Sequence, residues 1–395
     1  MNLLVRNAGR LVTCDEALGE GPLGVIPDGA LVAAEGRITW VGPESELRTV
    51  APPDAVELDA GGRAVIPGLV ECHTHLVFAG DRSPEFAART RGEAYRAGGI
   101  MTTVQATRTA SDEELRALAQ ERLERFWSFG VTTVEAKSGY GLEPSQELRL
   151  LRIASELDGV VPTLLGAHIV PDEFAGRSDD YVDLVCGEMV PAAAGLAEFC
   201  DVWCEPAGAF TVEQSRRVLE AGVAAAMRPK VHADQLTRGG GALLAAAVSA
   251  VSADHLEHAT PEDARALADA GTVAVLMPGA SMMTATPFAP ARMLLDHGVR
   301  VALATDFNPG TSYSENLQLA IAFGCVCLRM TPEEALLGVT RQAAAALARE
   351  DRCGRLAPGL DCDLVVLDTC SEIDLAYHYG VNLAATVLRA GVTLS

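Results

Sequence analysis

The sequence predicts an α/β fold, a (β/α)8 TIM barrel over residues 63–349 with a small β-sandwich domain formed by residues 1–62 and 350–395. Three observations predict it. Eight short apolar segments in the middle of the chain alternate mostly with helical patterns, as a parallel barrel requires. Both ends lack long helices and share a texture of short alternating segments punctuated by Gly and Pro. Six of the eight histidines fall at or just after the ends of the central apolar segments, where such barrels carry their chemistry.

Taken in order, the N-terminal segment reads as strands in "LLVRNAGRLVT", "GALVAAEGRITWVGP" and "AVELDAGGRAV". The C-terminal segment repeats the pattern in "GRLAPGLDCDLVVLD" and "LAATVLRAGVTLS". The eight central strands are expected at 64–72, 131–136, 163–167, 201–204, 229–231, 251–254, 273–277 and 299–305. Helices are expected at "SDEELRALAQERLERFWSFG", with Ser111 and Glu114 at capping-box spacing and Gly130 at its end, and at "SQELRLLRIASELDG", "VEQSRRVLEAG", "PEDARALADAG" and "PEEALLGVTRQAAAALARE". Residues 85–110, rich in Arg, Gly and Thr, read as a long insertion and a candidate lid.

The chain has 395 residues and is 49% hydrophobic, enough for one large barrel and a small accessory domain. Its net charge of −22 disfavours nucleic acid and anionic membranes as partners, since both would be repelled. An anionic substrate must therefore meet a locally placed arginine. The apolar stretches are short, and "MNLLVRNAGRLVTCDE" lacks the apolar region and cleavage site of a secretory signal, so the expectation is a cytoplasmic protein. The ten cysteines contain no C-x-x-C pair, and most of them read as buried small hydrophobes. Lysine occurs only at Lys137 and Lys230, both at expected strand ends, where either could support a site or form a structural salt bridge.

"VIPGLVECHTHLVFAGDR" sets His73 and His75 on one side of an extended segment, because strand side chains alternate faces. H-x-H alone fits a metal clamp and ordinary surface histidines equally. The other strand ends then decide: "KSGYG", His168, Glu205, His232, His255 and Asp306 follow in order. His73, His75, His232 and Asp306 make a reasonable ligand set for one divalent metal, zinc or iron (Fe2+/Fe3+), which lowers the pKa of a bound water towards about 7. Asp306 could both ligate and accept that water's proton. His255 could act as base or hold an oxyanion, or merely pack against its neighbours. The fourth strand end carries Glu205 and no lysine to bridge two metals, which favours one.

In these motifs the chain resembles the imidazolonepropionase family of the amidohydrolase superfamily. "PGLVECHTHLVFAGDR", "VEAKSGYGL", "GAHIVP", "HADQL", "SADHLEH" and "LATDFNPGTS" follow in the family's order between about residues 60 and 360. H-x-H with a distant Asp marks only the superfamily; "KSGYGL" with "TDFNPGTS" is much more specific. The resemblance implies metal ligation by His73, His75, His232 and Asp306. It implies contacts to an imidazolone substrate from Arg82, Tyr140, His168 and Thr311, and contacts to the ring-opened product from Asn308 and Gly310. It also implies a homodimer and hydrolysis of 4-imidazolone-5-propionate to N-formimino-L-glutamate, a step of histidine degradation.

An arginine fork suits the propionate that this reading requires at Arg82, although a surface arginine is its plain alternative. Gly310 would let backbone approach a ligand closely. Gln235, at a position where some members of the family carry Gln and others Glu, can hydrogen-bond a ring nitrogen but cannot carry a proton, which leaves Asp306 and His255 as the catalytic candidates. His258 stands where the family leads one to expect an aromatic residue. The competing expectations are another cyclic amidohydrolase or a deaminase of the same superfamily acting on a small heterocycle, and a barrel that has lost its chemistry. Gln235 and Arg82 count against a deaminase; the four ligand-type residues count against an inert scaffold.

Overall fold

The structure is a computed structural model that describes residues 2–49, 52–92, 99–206 and 208–394. By its internal contacts the chain divides into two compact units, Met1–Cys72 with Glu124–Thr133 and Asn316–Ser395, and His73–Leu123 with Val134–Glu315. This division falls inside the segment expected to be barrel, at 72/73 and 315/316 instead of 62/63 and 349/350.

The terminal segments form one continuous mixed sheet of eight strands. Strand β1 (Asn2–Val12) pairs antiparallel with β2 (Val25–Ala34), which pairs with β3 (Arg37–Pro43). On its other edge β1 pairs parallel with β4 (Val56–Asp59) through Leu3–Arg6 and with β5 (Ala64–Pro67) through Arg10 and Leu11. An irregularity between Val5 and Ala8 lets one long strand serve both partners. Three strands from the far end of the sequence, β14 (Leu364–Leu367), β15 (Ala384–Arg389) and β16 (Val392–Thr393), extend the sheet beyond β5. Leu3, Leu11, Ile26, Leu31, Ile38, Val65, Leu364, Val366 and Leu388 share one core, so the alternating pattern of both ends closes on a single apolar interior.

The second sheet runs in chain order through β6 (Leu69–Glu71), β7 (Val131–Lys137), β8 (Val160–Ala167), β9 (Phe199–Cys204), β10 (Arg228–Ala233), β11 (Ser252–His255), β12 (Val273–Leu276) and β13 (Val301–Leu303). Its strands are parallel, and beyond β6 and β13 a parallel bridge between Thr74 and Phe307 joins the two ends of the ring. Nearly every strand residue is buried, which explains why these segments read as continuous apolar runs.

Three expectations are corrected. The segment 64–72 is not one strand: Pro67 and Gly68 break it, and β5 and β6 belong to different sheets. A Cβ at Gly68 would lie 2.3 Å from Thr132 Oγ1, so the turn there requires glycine. The expected helix at 332–350 is two helices, Pro332–Gly338 and Arg341–Ala346, because Thr340 leaves the helical conformation and donates its hydroxyl to Leu336 O at 2.7 Å. The stretch 85–110 carries helices Ser83–Thr90 and Ile100–Thr109; residues 93–98 of the candidate lid lie outside the described residues. Ser111 does cap the helix Asp112–Ser128, accepting from Glu114 N at 3.1 Å.

Candidate metal centre

His73 and His75 follow β6, His232 lies in β10, His255 ends β11 and Asp306 follows β13, so four segments aim side chains at the same end of the ring. All five are buried. Nitrogen atoms of His73, His75 and His232 lie within 4.8 Å of one another. Asp306 Oδ1 is 3.5 Å from His73 Nε2 and 4.0 Å from His75 Nε2. Burial, first of all, holds the three imidazoles well below the usual histidine range, so they are neutral, the form that ligates a metal. His232 Nε2 is buried without a hydrogen-bond partner among the described residues, a costly arrangement unless a ligand completes it. The donor set and that orphaned nitrogen fit a divalent cation.

Beneath the histidines lies a layer of which sequence reasoning named only the two lysines, Lys137 and Lys230. His73 Nδ1 is hydrogen-bonded to Asp254 Oδ2 at 2.6 Å, whereas His232 Nδ1 lies 3.0 Å from Asp201 Oδ2 without hydrogen-bond geometry. A carboxylate on Nδ1 fixes the ring and leaves Nε2 as the ligating lone pair. Both carboxylates converge on Lys137, whose Nζ lies 2.7 Å from Asp201, 3.2 Å from Asp254 and 3.1 Å from Glu135. Lys230 Nζ donates to Glu135 at 2.8 Å, and Thr163 Oγ1 donates to the same oxygen at 2.6 Å. These five charged side chains are fully buried. Burial opposes the charge on Lys137, but Asp201, Glu135 and Asp254 more than offset it and raise its pKa well above the usual lysine value. Three carboxylates against two ammonium groups leave negative charge below the histidines, as suits a cation above them. The signal was present in the spacing: Glu135-x-Lys137 and Lys230-x-His232 put each pair on one strand face.

The loop after β13 holds Asp306. Thr311 Oγ1 donates to Asp306 Oδ2 at 2.8 Å and Asn308 Nδ2 to Oδ1 at 2.8 Å. Asn308 Oδ1 accepts from Gly310 N and Thr311 N, so its amide is engaged within the loop while its side chain still lines the cavity. Burial raises the Asp306 carboxyl to about 6, against which His255 and the two hydrogen bonds act only in part. Glu205 carries another loop: it accepts from Leu236 N at 2.9 Å, from Thr237 N at 3.1 Å and from the Thr237 hydroxyl, and so fixes the turn bearing Gln235. Glu147 does the same for "KSGYGL", accepting from the backbone of Gly139, Gly141 and Leu142.

Above the cluster opens a cavity of about 350 Å3, counting the space open to solvent. Arg82, Tyr140, His168, Gln235, Asn308 and Thr311 all line it with His75, His232, His255 and Asp306. Trp203 and Ile100 line it too, and sequence reasoning did not find them. Their apolar character made them look like core. His258 is half-buried and lies outside that lining. Gly310 approaches Arg82 rather than open space: a Cβ there would lie 2.3 Å from Arg82 Nη1. The opposite edge of that guanidinium is held by Glu85, through Nε at 3.0 Å and Nη2 at 2.7 Å.

His168 Nδ1 lies 2.9 Å from Gly139 O, to which only a protonated nitrogen can donate, so Nε2 is an acceptor. Burial lowers this imidazole to about 4. The unfolded chain therefore takes up this proton first as pH falls through about 6.5, and the native advantage declines until about pH 4. From this residue the protein is expected to lose about 2 kcal/mol between pH 7 and 5. Denaturant unfolding of the parent and His168→Asn at the two pH values checks this; equal losses in both would contradict it.

The comparisons with known proteins agree with this geometry. A profile of the amidohydrolase family matches residues 82–387. The chain is 49% identical over 389 residues to an imidazolonepropionase of Mycolicibacterium smegmatis, covering 98% of this chain and 96% of the relative. It is 45% identical over 407 residues to one of Parabacteroides distasonis, covering 98% of both. Among solved structures, 5-methylcytosine deaminase from Klebsiella pneumoniae superposes with a TM-score of 0.77 at 19% identity, over all of this chain and 98% of that one. A zinc-bound adenosine deaminase from Xanthomonas campestris gives 0.74 at 18%, over 99% of this chain and 92% of that one. Those two likenesses concern the fold alone. Identity at this level over nearly the whole length of both partners decides the matter: the chain belongs to the imidazolonepropionase family of amidohydrolases.

Proposed function

We propose that the protein hydrolyses the ring amide of 4-imidazolone-5-propionate to N-formimino-L-glutamate in histidine degradation, with His73, His75, His232 and Asp306 holding one zinc or iron ion. The carrying observation is that His75, His232, Asp306 and the buried Arg82 line one cavity, with His73 against His75 and His232 behind it. A divalent ion held there supplies Lewis acidity, activating water and polarising the ring carbonyl.

The chain's own residues do the rest. Asp306 accepts the proton of the attacking water, a role for which its carboxylate oxygens face the cavity. His255 faces the same point and, with Nε2 as an acceptor, helps Asp306 take the water's proton. The water oxygen bonds to the carbonyl carbon, the C–N bond breaks, and the proton passes to the departing nitrogen; the carbonyl carbon becomes the α-carboxylate of the product. His168 Nε2 accepts a ring N–H, and Gln235 hydrogen-bonds the ring without moving a proton. Tyr140 and Thr311 close the lining, and Asn308 with Gly310 shapes the rim that the product's amino-acid portion meets. Arg82, held in place by Glu85, takes the propionate. The same reading carries a homodimer in the cytoplasm.

Turnover of freshly generated 4-imidazolone-5-propionate, with metal content measured on the same sample, tests the reading. Metal-dependent appearance of formiminoglutamate supports it; no turnover in fully metallated protein discards the substrate. Arg82→Ala is expected to raise KM about 10–100-fold, the scale of a lost charged hydrogen-bond pair. Unchanged steady-state kinetics would remove Arg82 from the site.

A further inference from the structure

Gln235 brings no titratable group to its place on the cavity lining, yet a buried carboxylate lines a second cavity with it. Glu257 follows β11 by two residues, and its side chain is 3% exposed. Its Oε1 accepts from Ser281 Oγ at 3.0 Å and lies 3.7 Å from His255 Nδ1, beyond hydrogen-bond distance, and that nitrogen is buried with no hydrogen-bond partner among the described residues. Its Oε2 has no hydrogen-bond partner among the described residues. The same side chain lines a second cavity of about 240 Å3, to which Gln235 and Thr311, both also on the main cavity, contribute. Glu257 thus sits between the reacting centre and a small polar chamber walled by Ser281, Thr284 and Thr286.

The backbone that brings it there is strained. His255 has φ of 81° and Leu256 of 65°, left-handed conformations that cost on the order of 1–3 kcal/mol each outside glycine. Two bonds across to the end of β10 hold the turn, Leu256 N to Ala233 O and His258 N to Asp234 O, each at 3.0 Å. Strain of this kind persists only where the surroundings fix it, and here it folds the chain so that residue 257 returns beside the ring of residue 255. The rings of His73 and His232 and the carboxylates of Asp254 and Asp306 also face that ring. Burial alone would lower the His255 imidazole, but Glu257, then Asp306 and Asp254, more than offset it.

We propose that Glu257 is the positioning residue for His255: closing the 3.7 Å gap lets Oε1 accept Nδ1–H, so that Nε2 is the nitrogen presented to the cavity. This rests on the reading of His255 given above. Glu257 touches no reacting atom; it selects the tautomer and orientation of the residue that does. Ser281 in turn fixes Oε1, the single oxygen on which both contacts meet.

Long-range proton–nitrogen NMR on zinc-loaded protein labelled with 15N-histidine, with His255 assigned by its disappearance in His255→Gln, reads the tautomer without any substrate. The parent is expected to show His255 protonated at Nδ1, and Glu257→Ala to lose that preference. In steady state Glu257→Ala should lower kcat about 10–100-fold with KM within about twofold. Glu257→Gln, which keeps a carbonyl oxygen at the same place, should recover most of the loss. Should Glu257→Ala fail to fold, Ser281→Ala tests the same link, with an expected mixture of tautomers. An Nε2-protonated His255 in the parent, or an unchanged Nδ1 preference in Glu257→Ala or Ser281→Ala, overturns the proposal. Failure of the parent to turn over the imidazolone would count only against the substrate, since the spectrum does not depend on it.

Discussion

Asp306→Asn is expected to lower kcat by about 10²–10⁴-fold, the range for loss of a positioned proton acceptor. The substitution keeps size and shape but removes the charge and the basic oxygen pair. It also sets an amide NH2 against a donor, because Thr311 Oγ1 and Asn308 Nδ2 each donate to a different oxygen of Asp306. Part of the effect will therefore be a loosened loop between Asp306 and Thr311. Metal content of the purified variant separates the two: a metallated, inactive enzyme places the loss in proton transfer, and a metal-poor one places it in ligation. Activity within tenfold of the parent, on the scale of that range, would remove Asp306 from the chemistry.

Lys137→Met is expected to destabilise the chelator-treated protein by about 3–5 kcal/mol. The ammonium group touches three fully buried carboxylates, and methionine fills its volume without replacing its charge. Asp201 and Asp254 would then face each other with only Lys230 nearby to offset them. The loss should be smaller in metal-loaded protein, because a bound cation compensates part of the same negative charge. Denaturant unfolding with and without metal checks both statements. A variant as stable as the parent in chelator would show that the lysine is not what balances the core.

The barrel was legible because parallel strands buried on both faces leave continuous apolar runs, and their ends leave polar residues in sequence order. His73, His75, His168, His232, His255 and Asp306 could be picked out one strand at a time for that reason. The layer beneath them was only half legible: Glu135-x-Lys137 and Lys230-x-His232 show in the spacing, but Asp201 beside Lys230 and Asp254 beside His232 depend on register between strands, which no single segment encodes. Arg82 was read as a cation for a substrate, but its bond to Glu85 depends on a helix beginning at Ser83 that the sequence did not announce. Glu257 was hidden by two left-handed residues, a conformation that Leu and His do not advertise. The break at Pro67 and Gly68 was visible in the letters. Only the two sheets on either side of it give that break its meaning.

The two lysines carry a practical consequence. Both are sealed in the barrel interior, so the folded chain offers no lysine amine to solvent. Acylating reagents, amine-directed dyes and lysine cross-linkers should find almost nothing on the native surface beyond an α-amino group. Their reaction at Lys137 and Lys230 then becomes a clock for opening of the interior, read residue by residue in a peptide map. A surface rich in carboxylates and arginines but bare of lysine makes this enzyme its own reporter of unfolding.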